Sequence, residues 1–284
     1  MPKINSTTRR VDLHTHSTAS DGELAPRDLV ALALERDLDV IALTDHDSIA
    51  GIDAAMDAAR ATKLEVIPGV ELSADVEFAE VHMLGYFVDW RDADFLAMLA
   101  KFRDGRIGRA EKMVKKLNAL GAPITFARVQ EIAGDGSIGR PHVAQALVES
   151  GFVATINEAF AKYLARNAPA YVERFKITPE DSVALILRAG GVPVLAHPRD
   201  VSHYVTPLVK AGLVGLEVHY GMYDDALVSK HAHLAKQYGL IATGGSDFHG
   251  LNKMGHMGKL GQVFVPPEVV ETLRERANEI KNHR

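Results

Sequence analysis

The side chains most able to do chemistry sit in short, closely spaced groups. These are Asp12-Leu13-His14-Thr15-His16, Thr44-Asp45-His46-Asp47, Gly69-Val70-Glu71 and Gly245-Ser246-Asp247-Phe248-His249, with His82 and His197 placed singly between them. In an extended chain residues two apart share a face, so His14 and His16 point the same way. Imidazole and carboxylate together bind Mn²⁺, Fe²⁺ or Zn²⁺, and a bridging carboxylate holds two such ions about 3.5–4 Å apart. Paired ions lower the pKa of a shared water and neutralise both the attacking and the leaving oxygen of an in-line displacement. Phosphate esters gain most from this, because three non-bridging oxygens need counter-charge. The candidates are too numerous for one ion, and three ions match their number.

Such ligands need elements that end at one place. Short apolar runs recur at Arg10–Leu13, Asp39–Leu43, Leu64–Pro68, Val81–Phe87, Val192–Leu195, Val214–Val218 and Leu240–Thr243. Several are continuous Val/Ile/Leu/Ala, as in strands covered on both faces. Helical patterns at Pro26–Arg36, Ile49–Thr62, Pro179–Ala189 and Asp224–Tyr238 alternate with them. Pro26 and Pro179 fall where a first helical turn tolerates proline, and Gly190, Gly212 and Gly239 fall where helices stop. Alternation of this kind implies a parallel sheet or barrel. Most of the candidate ligands follow the apolar runs, and barrel enzymes build their sites at the C-terminal ends of the strands. His82 lies at the start of its run instead. Convergence on one rim, more than any single residue, carries the reading.

Residues 92–167 break the rhythm, with a helical pattern and no convincing strand. Phe95, Leu96, Met98, Leu99 and Phe102 begin an apolar helix face that Met113, Val114 and Leu117 continue. Residues 101–166 hold eleven Lys/Arg against six Asp/Glu, a local +5, whereas the rest holds 21 against 31, or −10. The expectation is an inserted, basic helical subdomain over the barrel mouth, with residues 1–91 and 168–284 forming the barrel.

Composition narrows the rest. Of 284 residues 47% are hydrophobic and 24% charged, which suits a globular enzyme. The absence of cysteine excludes disulfides, thiolate nucleophiles, Fe–S clusters and Cys-ligated zinc. Any metal is then held by nitrogen and oxygen, as suits Mn²⁺, Mg²⁺, Fe²⁺ or Zn²⁺. The net charge of −5 argues against a general nucleic-acid coating surface. Nothing near Met1 resembles the apolar core of a secretory signal, and no apolar run approaches the roughly 20 residues that span a bilayer. A cytoplasmic protein without membrane association is expected, and no obligate protein partner is implied.

Taken together, Asp12-Leu13-His14-Thr15-His16-Ser17, Asp21-Gly22, Leu43-Thr44-Asp45-His46-Asp47, Pro68-Gly69-Val70-Glu71, Ala196-His197-Pro198 and Gly245-Ser246-Asp247-Phe248-His249 resemble the polymerase and histidinol phosphatase (PHP) family over essentially the whole chain. The resemblance implies a distorted (β/α)₇ barrel, TIM-barrel-like, with two or three divalent ions, Mn²⁺ foremost. Carried over by position, it implies His14, His16, Glu71 and Asp247 around a first ion. Glu71, His82 and His197 would hold a second, and Asp21, His46 and His249 a third. Many family members carry histidine where this chain has Asp21, and the harder oxygen ligand favours Mn²⁺ or Mg²⁺ there. Asp247, His249 and Glu71 are the implied catalytic residues, Asp247 as proton carrier.

The helical insertion is similar to that of 3′,5′-nucleoside bisphosphate phosphatases and of bacterial enzymes that trim 5′-phosphorylated RNA from its 5′ end. The implied substrate is a small nucleotide such as adenosine 3′,5′-bisphosphate, or a short RNA end. Ser137, Arg140 and His142, around Pro141 at a helix start, form an expected phosphate seat. Arg103 and Arg106, with Arg109, form a basic stripe that would face the mouth. Lys176 and Arg199 are further phosphate candidates, Tyr171 and Phe175 candidate base platforms, and Glu217 and His219, at a strand end, candidates to support the ligands or contact the substrate. Alternatives are a histidinol-phosphate phosphatase, a C–N hydrolase of related barrel type, and a non-catalytic PHP module. No lysine ends a strand to bridge metals as in many amidohydrolases, and the ligand positions are intact, which disfavours the last two.

Overall fold

The structure, a computed structural model, describes residues 9–284 apart from 77–79, 135, 174–176, 199–201 and 252–257. In chain order the elements are β1 (Val11–Thr15), α1 (Pro26–Glu35), β2 (Val40–Leu43), α2 (Ile52–Ala59), β3 (Glu65–Asp75) and β4 (Glu80–Tyr86). Helices α3 (Ala93–Ala119), α4 (Phe126–Ala133), α5 (Arg140–Glu149) and α6 (Ile156–Ala159) follow, the last running into a π-helical turn at Phe160–Leu164. Then come α7 (Pro179–Arg188), β5 (Val192–Leu195), α8 (Val205–Ala211), β6 (Gly215–Tyr220), α9 (Asp225–Tyr238), β7 (Ile241–Gly245) and α10 (Glu268–Asn282). None of the described helices is long and apolar enough to cross a membrane.

Polar side chains and glycines set the helix limits. Asp92, Thr125, Thr155, Thr178 and Asp224 each accept a backbone N–H of the helix they precede, satisfying donors that have no intrahelical partner. Pro26 and Pro179 open α1 and α7. Helices α8 and α9 stop at Gly212 and Gly239, which have φ of 105° and 65°, a conformation that costs a residue with a Cβ.

The seven strands form one sheet in the order β1-β2-β3-β4-β5-β6-β7. Its two ends meet where Thr15 bridges Phe248 and the His16 N–H donates to the Phe248 carbonyl at 2.9 Å. The result is a distorted seven-stranded barrel. It is not all-parallel: β4 runs antiparallel to both β3 and β5. β4 follows β3 directly in the order of elements and pairs with it antiparallel, so the chain reverses between them. That reversal explains His82. At the start of an antiparallel strand it lies at the rim where the parallel strands end.

Burial follows the two-residue period. Along β2, Val40 and Ala42 join one apolar cluster and Ile41 and Leu43 another, so the two sets occupy opposite faces. The first cluster also holds Ile67, Leu84 and Tyr86, which share strand faces with Glu71 and His82. An apolar layer thus lies beneath the polar rim, sealed by Val269, Val270, Leu273 and Ala277 of α10. Outside, α1 and α2 cover Ile41 and Leu43, while α7 and α8 contribute to the cluster around Leu72, Met83 and Leu216.

Helix α3, at 27 residues about 40 Å long, serves two cores. Phe95, Leu99 and Phe102 pack with the barrel cluster, whereas Met113, Val114 and Leu117 pack with Val129, Val143, Leu147 and Leu164. Leu96, expected on the apolar face, is instead 44% exposed, because it lies about 100° around the helix from Phe95. The helical segment meets the barrel rim through polar ties. The Ser137 N–H donates to the Ala19 carbonyl at 3.2 Å, and Arg166 donates to the Val76 carbonyl at 3.1 Å.

Leu273 is fully buried in the cluster beneath the rim. Leu273→Ala should destabilise the protein by about 2–5 kcal/mol while leaving activity per folded molecule unchanged. Urea unfolding checks the first and a specific-activity assay the second.

Candidate metal centre

Six of the seven strands deliver candidate ligands at the rim. His14 and His16 come from the end of β1, His46 follows β2, and Glu71 lies within β3, which pairs with His46 through a parallel bridge. His82 comes from β4, His197 follows β5, and Asp247 and His249 follow β7. Asp21 reaches in from the loop after β1. That loop is shaped by buried Asp45, which accepts from the Ser17 N–H (2.8 Å), the Ser17 hydroxyl (2.7 Å) and the Ser20 hydroxyl (2.6 Å). Gly245 permits the seam between β7 and β1, since a Cβ there would lie 2.4 Å from that of His14.

Glu71 is the hub. One oxygen lies 3.3, 3.2 and 3.1 Å from His14 Nε2, His16 Nε2 and His46 Nδ1. The other lies 2.9 Å from His82 Nδ1 and 3.1 Å from His197 Nε2. Asp247 Oδ1 is 3.1 Å from His16 Nε2 and 3.3 Å from His14 Nε2, and Asp21 Oδ1 is 3.2 Å from His249 Nε2. Three overlapping groups offer ligand atoms mutually within 4.8 Å: His14, His16, Glu71 and Asp247; His46, Glu71 and His82; and His16, Asp21, His46 and His249. His197 adjoins the second through Glu71, and His16 and His46 are each shared between groups.

The donor atoms suit cations better than one another. His14 Nε2, both nitrogens of His16, His46 Nδ1, Glu71 Oε2 and His249 Nε2 are buried without a hydrogen-bond partner, although several lie within 3.3 Å of an opposite charge. Neighbours fix the tautomers. The Nδ1 of His14 lies 2.9 Å from Glu217 Oε1, and that of His249 lies 2.9 Å from the Asp247 carbonyl. Both acceptors demand a proton on Nδ1, which leaves Nε2 free to ligate. Glu217 Oε2 also accepts the His197 N–H at 2.8 Å, so one buried carboxylate orients two candidate ligands. Glu217 thus takes the ligand-orienting role that its place at a strand end beside His219 suggested. The backbones of Asp247 and His197 have φ of 55° and 28°, strained values for residues with a Cβ and typical of functional sites.

Burial opposes charge on all of these groups. At His16 the Asp247 and Glu71 carboxylates overcome it and hold the imidazole up to about 9. At His82, Glu71 and Glu80 raise it to about 10. His14 is likewise held well above the ordinary imidazole value by Glu217, Asp247 and Glu71. At His46 burial wins and pushes it down to about 3. Burial would also raise Asp21, Glu71 and Asp247, but the surrounding histidines pull all three well below the usual carboxylate range.

Beside this centre lies a cavity of about 120 Å³, lined by Asp21, His46 and His82 together with Arg106, Arg109 and Arg140. Arg106 is held by Asp47, with its Nε 2.8 Å from Oδ2, and donates to the Ser73 hydroxyl at 3.1 Å. Arg140 pairs with Glu80 and lies over the Phe160 ring. Ser137 lines the same cavity. Arg103 does not: it is 64% exposed and nearest Asp104. Each three-residue step falls about 60° short of a full turn, so Arg103 and Arg109 stand about 120° apart and the stripe cannot face one way. His142 turns back to its own helix start, where its Nδ1 accepts the Gly139 N–H at 3.0 Å. Tyr171 packs under Arg109. Lys176, Arg199 and Phe175 lie outside the described residues.

Comparison with known proteins agrees in kind. The PHP domain family model matches residues 12–125. A 3′,5′-nucleoside bisphosphate phosphatase of Chromobacterium violaceum is 34% identical over 90% of this chain and 94% of its own length. The 5′-3′ exoribonuclease Rnm of Escherichia coli is 35% identical over 84% of each chain. A solved Bifidobacterium adolescentis structure, named for metal-dependent phosphoesterase activity, superposes with a TM-score of 0.86 at 31% identity, covering 94% of this chain and 96% of its own.

With His16 and His82 protonated until about pH 9 and 10, a divalent ion must displace protons to bind. Their raised values contribute stability to the metal-free protein that is complete below the ordinary imidazole value near 6.5 and lost as pH rises through 9 to 10. Mn²⁺ should therefore bind more tightly, and raise Tm further, as pH climbs from about 6.5 to 9. Calorimetry in buffers of different ionisation enthalpy should record proton release; affinity flat across that window would contradict the protonation assigned here.

Proposed function

Because the chain belongs to the PHP family and is a metal-dependent hydrolase of phosphoric esters, we propose that it removes the 3′-phosphate of 3′,5′-bisphosphonucleotides such as adenosine 3′,5′-bisphosphate, and trims short 5′-phosphorylated RNA. The observation that carries this reading is the juxtaposition of the histidine–carboxylate centre with a cavity walled by three arginines. A substrate with two phosphates can put one against each. The names of the Chromobacterium violaceum and Escherichia coli relatives point to the same substrate class. Histidinol phosphate, with one phosphate and a cationic amine, fits the arginine wall poorly.

In this proposal His14, His16, Glu71 and Asp247 hold one ion, Glu71, His82 and His197 a second, and Asp21, His46 and His249 a third, with Mn²⁺ as the expected metal. Bound divalent ions supply an activated water and charge for the phosphoryl oxygens. The chain's own residues do the remainder. Arg140 takes the distal 5′-phosphate and so sets which ester is cut, and Arg106, fixed by Asp47, lines the path between the phosphates. Asp247 carries the proton lost by the attacking water. The helical segment 92–167 acts as a cap whose basic residues hold the nucleotide and keep bulk water out.

Mn²⁺-loaded protein should release phosphate from adenosine 3′,5′-bisphosphate with a higher kcat/KM than from histidinol phosphate; the reverse order would replace this assignment. Arg140→Ala should cut kcat/KM for the bisphosphate about 10- to 100-fold, the loss of one charge-assisted contact of about 1.5–3 kcal/mol. Its turnover of p-nitrophenyl phosphate, which lacks the second phosphate, should hardly change. His14→Ala and Asp247→Ala should lower turnover by orders of magnitude with an unchanged circular dichroism spectrum, and near-parent activity in either would refute the ligand assignment.

A further inference from the structure

Two of the candidate ligands with strained backbones, Asp247 and His197, flank one side chain that no motif marks. Tyr220 ends β6, and its hydroxyl donates to Asp247 Oδ2 at 2.8 Å. Its ring centroid lies 5.4 Å from that of His197. Asp247 divides its oxygens: Oδ1 faces His14 and His16, while Oδ2 takes the phenol. The other acceptor near this hydroxyl, Met222 Sδ, is 3.8 Å away. A thioether is a weak acceptor and a carboxylate a strong one, so the proton goes to Asp247.

The ring itself is braced. Tyr223 meets it edge-on with centroids 5.0 Å apart, and Tyr223 in turn packs 4.9 Å from the fully buried His231 of α9. Three rings thus run from the helix outside the barrel to the carboxylate at its rim. A side chain wedged this way has little rotamer freedom left to lose when it holds a partner. Asp247 needs such a hold. Its φ of 55° is a conformation that persists only where surroundings enforce it.

Resting on the ligand assignment above, we propose that Tyr220 is a positioning residue of the metal centre. It fixes the Asp247 carboxylate so that Oδ1 is presented to the ion, and it buttresses His197 with its ring. Partners that orient metal ligands in this way typically govern metal affinity by 10- to 100-fold.

The test compares chelator-stripped parent, Tyr220→Phe and Tyr220→Leu proteins, titrated with Mn²⁺ by calorimetry in the absence of substrate. Tyr220→Phe keeps the ring and should raise the Mn²⁺ Kd about 10- to 100-fold; Tyr220→Leu, which also loses the ring against His197, should raise it further. In turnover assays with p-nitrophenyl phosphate, the Phe variant should need correspondingly more Mn²⁺, recover most of its kcat at saturating metal, and keep the parental KM. A purely structural role would lower the Tm of the stripped protein and would not be rescued by metal. Unchanged Mn²⁺ affinity in Tyr220→Phe, or lost activity that Mn²⁺ cannot restore, overturns the proposal. Because the titration contains no substrate, this outcome is independent of whether a bisphosphonucleotide is the substrate.

Discussion

A fully buried carboxylate surrounded by five imidazoles is the constraint on which the molecule turns. Glu71 has no exposure to solvent, and His14, His16, His46, His82 and His197 all approach it within 3.3 Å. Burying an ionised carboxylate costs several kcal/mol unless opposite charge accompanies it. In the bare protein, protons on His14, His16 and His82 provide that charge; divalent cations can take their place. Folding therefore assembles a cluster whose charge is balanced only by protons or by metal.

Much of the surrounding structure serves to hold that cluster open. Glu217 turns two histidines, Asp45 ties the loop that brings Asp21, and Gly245 lets β7 close against β1. Several donor atoms are buried yet not hydrogen-bonded, each at a cost of order 1–3 kcal/mol. The apolar layer of Ile67, Leu84, Tyr86 and Leu273 beneath the rim offsets such costs by excluding water from the barrel interior. Stability is thus spent at the rim and gained a layer below it.

In the proposed function, chemistry and recognition come from different parts of the chain. The barrel strands supply acid and imidazole. The helical segment between β4 and β5 contributes Arg106, Arg109 and Arg140, each held before any ligand arrives: Arg106 by Asp47, Arg109 by the Val172 carbonyl at 2.7 Å, and Arg140 by Glu80. Pre-oriented guanidiniums lose little freedom on meeting a phosphate. The paired carboxylates also keep the cavity from being uniformly positive, so an anion entering there must compete with or share these internal partners.

How far the sequence alone reaches follows from the range of the forces involved. Strand positions, helix starts at Pro26 and Pro179, stops at Gly212 and Gly239, and the grouping of His14 with His16 were legible, because two-residue periodicity, capping and φ preference act within a few residues; the exception is β3, read to Pro68 but continued to Asp75 by its pairing with β4, which puts Glu71 inside the strand. The PHP motifs carried the family and the barrel. Tertiary structure alone decided what depends on direction and rotation. The antiparallel course of β4 places His82 at the rim. The drift of α3 turns Arg103 to solvent while burying Arg109, and the start of α5 claims His142 for its own backbone. Glu217 and Tyr220 carried no motif, since each meets its partner only through tertiary pairing: Tyr220 reaches Asp247 across the β6–β7 pair, and Glu217 reaches His14 through barrel closure. Local pattern sets which residues are available to a site; which atoms face each other there is fixed by strand direction, helix phase and burial across the whole chain.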